Sequence, residues 1–266
     1  MTTTADARTS PPAWRTALVT GASSGIGRAI ARQLAAEGTA LVVVARDEAR
    51  LKALAAELTV DVEVLVADLG IADQLAVVEG RLADPDRPVD LVVNNAGFGT
   101  YGDFAALDLD GETREIAVDV TAVVRLTHAA LDGMLARGRG AVMNISSVAG
   151  LQATPGNAVY GASKAFVASF GEAVAGELAG TGVTLTTVLP GYTHTEFAER
   201  AGIGGRQIPK PAWQSAEDVA SSAIAATRAG RPWLVPGALN KAMVSVANPI
   251  PRGLKRRVAA RLAKRM

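Results

Sequence analysis

The chain of 266 residues contains no cysteine and only two histidines. The lack of cysteine excludes disulfide bonds, thiolate nucleophiles and cysteine metal sites, and it fits a cytoplasmic protein. His128 and His194 lie far apart in the sequence without a supporting cluster, so we expect neither to bind a metal. No stretch of about 18 uninterrupted apolar residues suggests a membrane span. The remaining composition, 49% hydrophobic and 20% charged, suits an α/β protein with a large core.

Both ends of the chain differ in composition from its body. Residues 1–13 are small and polar and lack an apolar segment, so we expect a disordered leader and not a signal peptide. Residues 241–266 form a basic, amphipathic tail, which from residue 252 carries seven cations and no acid. These are Arg252, Lys255, Arg256, Arg257, Arg261, Lys264 and Arg265.

The charge of this tail allows two interpretations. The net charge of the chain is +1, so without those seven cations the body is near −6. Apolar residues alternate with the cations, so the tail could make weak peripheral contact with an anionic membrane surface as a short helix. The other interpretation, which we favour, is a solvated terminal helix that packs one apolar edge on the body. We expect no nucleic-acid partner.

The body of the chain repeats a strand followed by a helix. The predicted strands are Thr16–Thr20, Leu41–Ala45, Val62–Ala67, Asp90–Val93, Ala141–Ser146 and Val183–Leu189, and the predicted helices are Ile26–Glu37, Ala49–Leu58, Gly111–Arg137 and Val159–Leu178. Continuous apolar strands alternating with helices predict a single-domain α/β fold over residues 14–240, a doubly wound parallel sheet covered by helices on both faces. The Gly- and Pro-rich residues of about 191–213 are predicted to form a substrate lid.

A glycine loop follows the first predicted strand. Gly21, Gly25 and Gly27 follow the pattern G-x-x-x-G-x-G and open a helix. Such a loop lets the backbone approach a pyrophosphate, whose charge the helix N-terminus stabilises. An ordinary glycine turn is the alternative, and the flanking strand and helix favour the dinucleotide site.

The end of the second strand selects between NAD and NADP. An acidic residue there would bind the ribose hydroxyls, whereas an arginine accommodates a 2′-phosphate. The sequence reads Ala45, Arg46, Asp47 at this point. We therefore predict NADP(H) as the cofactor, with Arg46 on the phosphate and help from Ser23 or Ser24. The alternative is that Arg46 points to solvent and pairs with a neighbouring acid.

Tyr160 and Lys164 are four residues apart in a predicted helix, thirteen residues after Ser147. Residues at this spacing share a helix face, about 6 Å apart along the axis. A fixed cation beside a phenol favours the phenolate, so Lys164 would lower the pKa of Tyr160 and make it usable as an acid or base. Ser146 and Ser147 face opposite sides of a strand, so only one can reach the cofactor.

Together these motifs resemble the short-chain dehydrogenase/reductase family over roughly residues 15–235. The motifs that carry the resemblance are Thr20–Gly27, Asp68–Leu69, Asn94–Gly97, Ser147, Tyr160–Lys164 and Pro190–Gly191. The resemblance implies a Rossmann-like sheet of seven strands in the order 3-2-1-4-5-6-7. It also implies that Tyr160 donates the proton, that Lys164 lowers its pKa and binds the nicotinamide ribose, and that Ser147 bonds the substrate oxygen.

The resemblance assigns further residues to the cofactor. Asp68 would contact the adenine, Asn94 and its Ala-Gly neighbours would shape the floor of the site, and Thr195 would bind the carboxamide. The full expected cofactor set is Gly21, Ser23, Ser24, Gly25, Ile26, Gly27, Arg46, Asp68, Leu69, Asn95, Ala96, Gly97, Tyr160, Lys164, Pro190, Gly191 and Thr195.

Asp119 departs from the family's pattern, which has asparagine at this position to hold a water that links the lysine to solvent. If the family uses the backbone carbonyl for that water, the relay survives in this chain. An ionised Asp119 near Lys164 would stabilise the ammonium and change the pH profile modestly. The expected catalytic set is therefore Ser147, Tyr160, Lys164 and Asp119.

The leading hypothesis is an NADP(H)-dependent oxidoreductase that interconverts a ketone or aldehyde and an alcohol by hydride transfer. The alternative is an NADP(H)-binding regulatory or sensor protein with little or no catalysis. The one feature that favours it is Asp119 in place of the family's asparagine. The residues expected to border a small hydrophobic substrate are Phe98, Tyr101, Leu151, Gln152, Tyr192 and Phe197. Small residues on the two long helices predict a homodimer or homotetramer.

Overall fold

The computed structural model of the protein describes residues 14–197 and 213–247. The predicted leader at residues 1–13, the middle of the predicted lid at 198–212 and the basic tail beyond residue 247 lie outside the described residues. The described part forms one parallel sheet with helices packed on both faces.

The sheet contains seven strands in the order 3-2-1-4-5-6-7, as predicted. The strands are β1 (Thr16–Thr20), β2 (Ala40–Ala45), β3 (Val62–Val66), β4 (Leu91–Asn94), β5 (Gly140–Ile145), β6 (Val183–Val188) and β7 (Trp233–Leu234). Every neighbouring pair is parallel. Successive side chains of β1 enter different cores, Leu18 on one face and Val19 on the other, which explains the nearly continuous apolar run.

Eight α-helices lie within the described ranges, and all but the last precede the final strand. They are α1 (Gly25–Ala36), α2 (Glu48–Glu57), α3 (Ala72–Ala83), α4 (Leu109–Ile116), α5 (Ala122–Arg137), α6 (Ala158–Glu177), α7 (Ala216–Arg228) and α8 (Ala238–Ala247). Helices α1, α2 and α7 bury apolar side chains against one face, and α3 and α5 against the other. No helix in these ranges combines the length and apolar character needed to cross a membrane.

Helices α4 and α5 are joined by one wide π-helical turn, Ala117–Thr121. The sequence predicts a single helix over Gly111–Arg137, and the structure has one continuous helical path that contains this turn. A π-turn inserts a residue and changes the direction in which the following side chains point. Here it places Val118 and Asp119 side by side in the interior.

Candidate active site

A cleft of about 790 Å³ opens at the carboxyl ends of the central strands. In open parallel sheets this edge is where ligands bind. The residues of the predicted site that line it are Gly21, Ser23, Ser24, Gly25, Ile26, Arg46, Asp68, Leu69, Asn95, Ala96, Gly97, Ser147, Tyr160, Lys164, Pro190, Gly191 and Thr195. Gly27 and Asp119 do not line the cleft and lie directly behind it. Residues up to 174 positions apart in the chain, Gly21 and Thr195, thus meet at one edge of the sheet.

The glycine loop leaves no room for side chains where it turns into α1. Gly21 has a φ of +65°, which favours glycine. A Cβ on Gly27 would lie 2.5 Å from the carbonyl oxygen of Gly21, so only glycine lets the helix approach this closely. The loop therefore presents bare backbone to the cleft, as a dinucleotide cradle requires.

Thr20 and Asn95 fasten the glycine loop to the end of β4. The Thr20 hydroxyl donates to the Val93 carbonyl and accepts from the amides of Asn95 and Ala96, at 3.1, 2.9 and 3.0 Å. The Asn95 side chain donates to the Thr20 carbonyl at 2.9 Å. Two loops that come from distant parts of the chain are thereby held in a fixed relation at the floor of the cleft.

The N-terminus of α1 faces the cleft as an open donor site. Its N-cap residue, Ser24, makes no side-chain capping bond, and the first turn carries no acidic residue. The first amides of a helix have no partner within the helix, and its dipole favours an anion there. The backbone cradle and this helix end fit the pyrophosphate of a dinucleotide.

Arg46 lies at the opposite end of the cleft, beyond β2. Its side chain is 62% exposed, and its guanidinium is 3.9 Å from Asp68. The two acids next to it in sequence are engaged elsewhere: Asp47 caps α2 and Glu48 pairs with Lys52. Arg46 therefore pairs with Asp68 and not with either of these acids. Its side chain is exposed to solvent, as the alternative expects, and also borders the cleft.

Arg50 is a cleft residue that the sequence did not indicate. Its guanidinium bonds both carboxylate oxygens of Glu196 at 2.8 Å, joining the start of α2 to the segment that begins the predicted lid. The two residues are 146 positions apart, so no local pattern relates them.

Ser147 and Tyr160 lie together at the centre of the cleft. Ser147 caps a short 3₁₀ turn, where its hydroxyl accepts from the Ala149 amide at 3.1 Å, and its side chain acts to lower the pKa of Tyr160. Ser146 is buried, and its hydroxyl donates to the Lys164 carbonyl at 2.7 Å. Both serines line the cleft, contrary to the expectation that only one can reach it, but the Ser146 hydroxyl is engaged by the Lys164 carbonyl.

Lys164 is buried beneath Tyr160 and forms an ion pair with Asp119. Its ammonium lies 2.8 Å from Asp119 Oδ2, 3.3 Å from the Ile145 carbonyl oxygen and 5.5 Å from the centre of the Tyr160 ring. Asp119 Oδ1 accepts from the Phe98 amide at 3.1 Å. Burial raises the pKa of Asp119 while Lys164 acts against it. Burial acts to lower the pKa of Lys164, but the charge of Asp119 leads the interactions that raise it above its usual value.

The pKa of Tyr160 differs from the sequence-based expectation. Burial raises this pKa, Lys164 opposes the shift, and Asp119 adds to it. The prediction that Lys164 favours the phenolate is correct for that one interaction. The net lowering expected from Lys164 together with a bound nicotinamide is not found in the protein without nucleotide, because burial, with the charge of Asp119 added, outweighs the effect of Lys164.

Aromatic side chains border the cleft above Tyr160. Of the predicted substrate residues, Phe98, Tyr101, Gln152, Tyr192 and Phe197 line the cleft, and the Phe197 ring centre lies 5.4 Å from that of Tyr160. Leu151 is only half-buried and does not line it. The sequence also did not identify other residues that line the cleft, among them Val148, Thr154, Asn157 and Thr193.

The two histidines lie away from the expected catalytic residues. His194 is exposed and stacks on Trp213, with ring centres 4.6 Å apart, and it does not line the cleft. His128 is exposed on α5. Within the part of the chain that the structure describes, no group of three or more His, Cys, Asp and Glu side chains is arranged to hold a metal ion.

Asn94 requires a correction. The sequence placed it in the floor of the site, but it is buried on the other side of β4, where it donates to Asn144 at 2.8 Å and to Thr127 at 3.1 Å. Asn94 and Asn144 are direct neighbours in the β4–β5 register. Because strand residues alternate, Asn95 takes the position beside the cleft.

A buried acidic cluster lies behind the site, and the sequence did not identify it. Glu112, Glu115 and Asp119 are at most 2% exposed. Thr100, in the loop after β4, bonds the first two: its amide donates to Glu115 at 3.0 Å, and its hydroxyl bonds Glu112. Burial raises the pKa of Glu115 to about 7. The spacing of these acids, i, i+3 and i+7, is that of one helix face and was the available signal.

Comparison with known proteins agrees with this geometry. A family model described as short chain dehydrogenase matches residues 15–203. Sulfoacetaldehyde reductase 2 of Chromohalobacter salexigens is 43% identical over 184 residues, which cover 68% of this chain and 73% of the reductase.

Two solved structures extend the likeness to the three-dimensional fold. A short-chain dehydrogenase from Sphingobium yanoikuyae in complex with NADPH is 37% identical, with a TM-score of 0.76, and the match covers 89% of this chain and 96% of that one. The bulky-bulky ketone specific alcohol dehydrogenase from Comamonas testosteroni is 31% identical, with a TM-score of 0.74 and coverage of 90% and 95%.

Proposed function

Because the chain belongs to the short-chain dehydrogenase/reductase family, we propose that it is an NADP(H)-dependent oxidoreductase that interconverts a hydrophobic ketone or aldehyde and an alcohol. The observation that carries this proposal is the meeting of Ser147, Tyr160 and Lys164 in the same cleft as the glycine loop. This arrangement supports a reaction in which a bound dinucleotide and an acid or base act on the same substrate.

The cofactor would lie along the cleft from Arg46 to Tyr160. The α1 N-terminus and the glycine loop would hold its pyrophosphate, and Lys164, Pro190, Gly191 and Thr195 would hold its nicotinamide end. When bound, the nicotinamide supplies or accepts the hydride. Asp68 and Leu69 would border the adenine, and Asn95, Ala96 and Gly97 would form the floor.

The side chains of the protein would handle the proton and the charge on oxygen. Tyr160 would give its hydroxyl proton to the carbonyl oxygen during reduction and take it back during oxidation. Ser147 would donate a hydrogen bond to the same oxygen and stabilise the negative charge that develops there. Lys164, fixed by Asp119 and the Ile145 carbonyl, would hold the phenol in position and favour its ionised form.

The proposal specifies NADP(H) over NAD(H). Arg46 supports it, because its exposed guanidinium is at the cleft beside the position that an acid would occupy in an NAD site. The short-chain dehydrogenase that was solved in complex with NADPH also supports NADP(H), since its sequence is 37% identical to this chain.

A hydrophobic carbonyl compound is the proposed substrate class. Four of the residues that border the cleft beside Tyr160 are aromatic, namely Phe98, Tyr101, Tyr192 and Phe197. The similarity to an alcohol dehydrogenase that is specific for bulky ketones points the same way. Residues 191–213 would act as a lid with a fixed base, because Gln214 exchanges two 2.9 Å backbone hydrogen bonds with Tyr192 and His194.

Members of this family are typically oligomeric, and we propose a homodimer or homotetramer for this chain. The exposed surface of α6 carries Phe166 and Phe170, whose rings stack with centres 5.8 Å apart, and apolar residues so placed favour burial between subunits. Cytoplasmic residence, and weak membrane contact through the basic tail, remain expectations from the sequence.

The experiment follows NADPH oxidation by the purified protein with a panel of hydrophobic ketones, and repeats it with Tyr160→Phe. We expect turnover by the wild type and a loss of about 10²- to 10⁴-fold in the variant, the usual contribution of a positioned acid. NADPH binding without any turnover that depends on Tyr160 would overturn the proposal and favour a sensor.

A further inference from the structure

The loop that follows β4 runs beside the α4 helix and its wide turn, and two carboxyl groups hold its backbone. The amides of Phe98 and Thr100 donate to Asp119 and Glu115, at 3.1 and 3.0 Å. Phe98 lines the substrate side of the cleft, so these carboxyls position the loop of Phe98 and Thr100, which we call the substrate loop.

The hydrogen bonds of Thr100 require a proton in this cluster. Its hydroxyl oxygen contacts both Glu112 Oε1 and, at 3.2 Å, Glu115 Oε2. A hydroxyl has one proton, so it can donate to only one of two ionised carboxylates. The contact between the hydroxyl and the other glutamate is favourable when that glutamate is protonated and donates to the hydroxyl oxygen.

The burial of the two glutamates strengthens this argument. Glu115 is 0% exposed and Glu112 is 2% exposed. Within the described part of the chain, Glu115 Oε1 and Glu112 Oε2 have no hydrogen-bond partner. Two adjacent buried carboxylates without a cation between them are strongly disfavoured, whereas a protonated one is tolerated.

We propose that Glu115 is a positioning residue of the catalytic centre, which holds the substrate loop through Thr100 and carries an exchangeable proton that sets the net charge behind Lys164 and Tyr160. The proposal deepens the proposed carbonyl reduction and rests on it for its catalytic consequence. The mechanism described above for Ser147, Tyr160 and Lys164 does not use this residue.

The charge on Glu115 acts on both groups of the catalytic pair. The titratable groups that face it are Glu112 and Asp119 on its own helical path and Tyr160 and Lys164 on α6. While Glu115 is protonated, the single charge of Asp119 balances Lys164. When Glu115 ionises, a second negative charge faces the phenol and raises the pKa of Tyr160, so the tyrosine keeps its proton to higher pH.

The first test observes the proton directly and needs neither nucleotide nor substrate. An infrared pH titration between about pH 5 and about pH 9 follows the carbonyl band of protonated carboxyl groups, which disappears on ionisation. We expect the wild type to lose one such band near pH 7. We expect Glu115→Gln to lack it and Asp110→Asn, an exposed acid on the same helix, to retain it.

A second variant covers the case in which Glu115→Gln does not fold. Thr100→Val keeps the amide donor and removes the hydroxyl that contacts both glutamates. The band should then disappear at a pH different from that of the wild type. A wild-type spectrum without a band that titrates near pH 7, or a band that both Glu115→Gln and Thr100→Val leave unchanged, would overturn the inference.

The catalytic consequence is read from the pH dependence of ketone reduction. In Glu115→Gln the alkaline fall in rate should move to lower pH by about one unit, the size expected for one charge acting inside a protein. Gln retains an oxygen acceptor for the Thr100 amide, so a purely structural role would leave the profile in place. Absence of turnover in every form would refute the proposed function while the infrared result still decides the inference.

Discussion

Lys164 and Asp119 form a buried ion pair, with 2.8 Å between the ammonium nitrogen and Oδ2, directly beneath the phenol of Tyr160. A carboxylate at this distance offsets part of the cost of burying the lysine charge. It also cancels the positive charge that would favour the phenolate. The acid–base behaviour of Tyr160 therefore depends on a residue that does not line the cleft.

Asp119→Asn should lower the pKa of Tyr160. Removing the carboxylate leaves Lys164 uncompensated, and the ammonium then favours the phenolate more strongly. Because reduction uses the protonated tyrosine, we expect the alkaline fall in the reduction rate to move to lower pH by about one unit. Glu172→Gln, an exposed acid on α6, is the control, and coincident profiles for wild type and Asp119→Asn would contradict the prediction.

Glu115 should make the stability of the protein depend on pH. Its pKa is raised from 4.5 to about 7 in the folded state. A raised pKa contributes stability that is complete below pH 4.5 and is lost as the pH rises to about 7, since only the unfolded state ionises easily there. The loss is on the order of 3 kcal/mol. Denaturant unfolding of wild type and Glu115→Gln across this range should show their difference changing with pH, and parallel curves would argue against it.

Arg46→Ala should reduce the preference for NADPH. Loss of one charge-assisted hydrogen bond to a 2′-phosphate costs about 1.5–3 kcal/mol, so the ratio of kcat/KM for NADPH to that for NADH should fall about 10- to 100-fold. Lys52→Ala removes a cation from the exposed side of α2 and does not touch the cleft, so it should leave the ratio unchanged. An unaltered ratio in Arg46→Ala would remove Arg46 from the phosphate site.

Gly27→Ala should damage the nucleotide cradle. Its Cβ would lie 2.5 Å from the Gly21 carbonyl oxygen, so the loop must move away from α1. We expect NADPH affinity measured by fluorescence titration to fall by at least about tenfold, the effect of roughly 1.4 kcal/mol. Gly80→Ala is the matched control, because a Cβ there has open space and a helical Gly→Ala change stabilises by about 0.5–1 kcal/mol. Equal affinity in Gly27→Ala and Gly80→Ala would refute the steric argument.

The sheet was predictable because its signals are local. Six of the seven strands appear in the sequence as short apolar runs, and their observed bounds differ from the predicted ones by one residue at most at either end. The strand β7 has only two residues, Trp233–Leu234, and gives no such run. It forms because β6 offers an unpaired edge, where Leu234 pairs with Val188.

The direction of individual side chains was less predictable than the elements that carry them. Asn94 was assigned to the floor of the site, and one residue of strand alternation moves it to the opposite face. The acids 112, 115 and 119 share a helix face, but their burial depends on how α4 and the wide turn pack against α6 and the loop of Thr100. The sequence alone contains no measure of that packing.

By itself the sequence determined six of the seven strands, the glycine loop and the spacing of Tyr160 and Lys164, because each depends on residues within one turn or one strand. Only the tertiary structure decided that Lys164 is paired with Asp119, 45 residues away, and that Arg50 reaches Glu196. Such pairs form where strand register and helix packing bring distant segments together. The charge around the phenol follows from those distances and from burial, which local spacing does not contain.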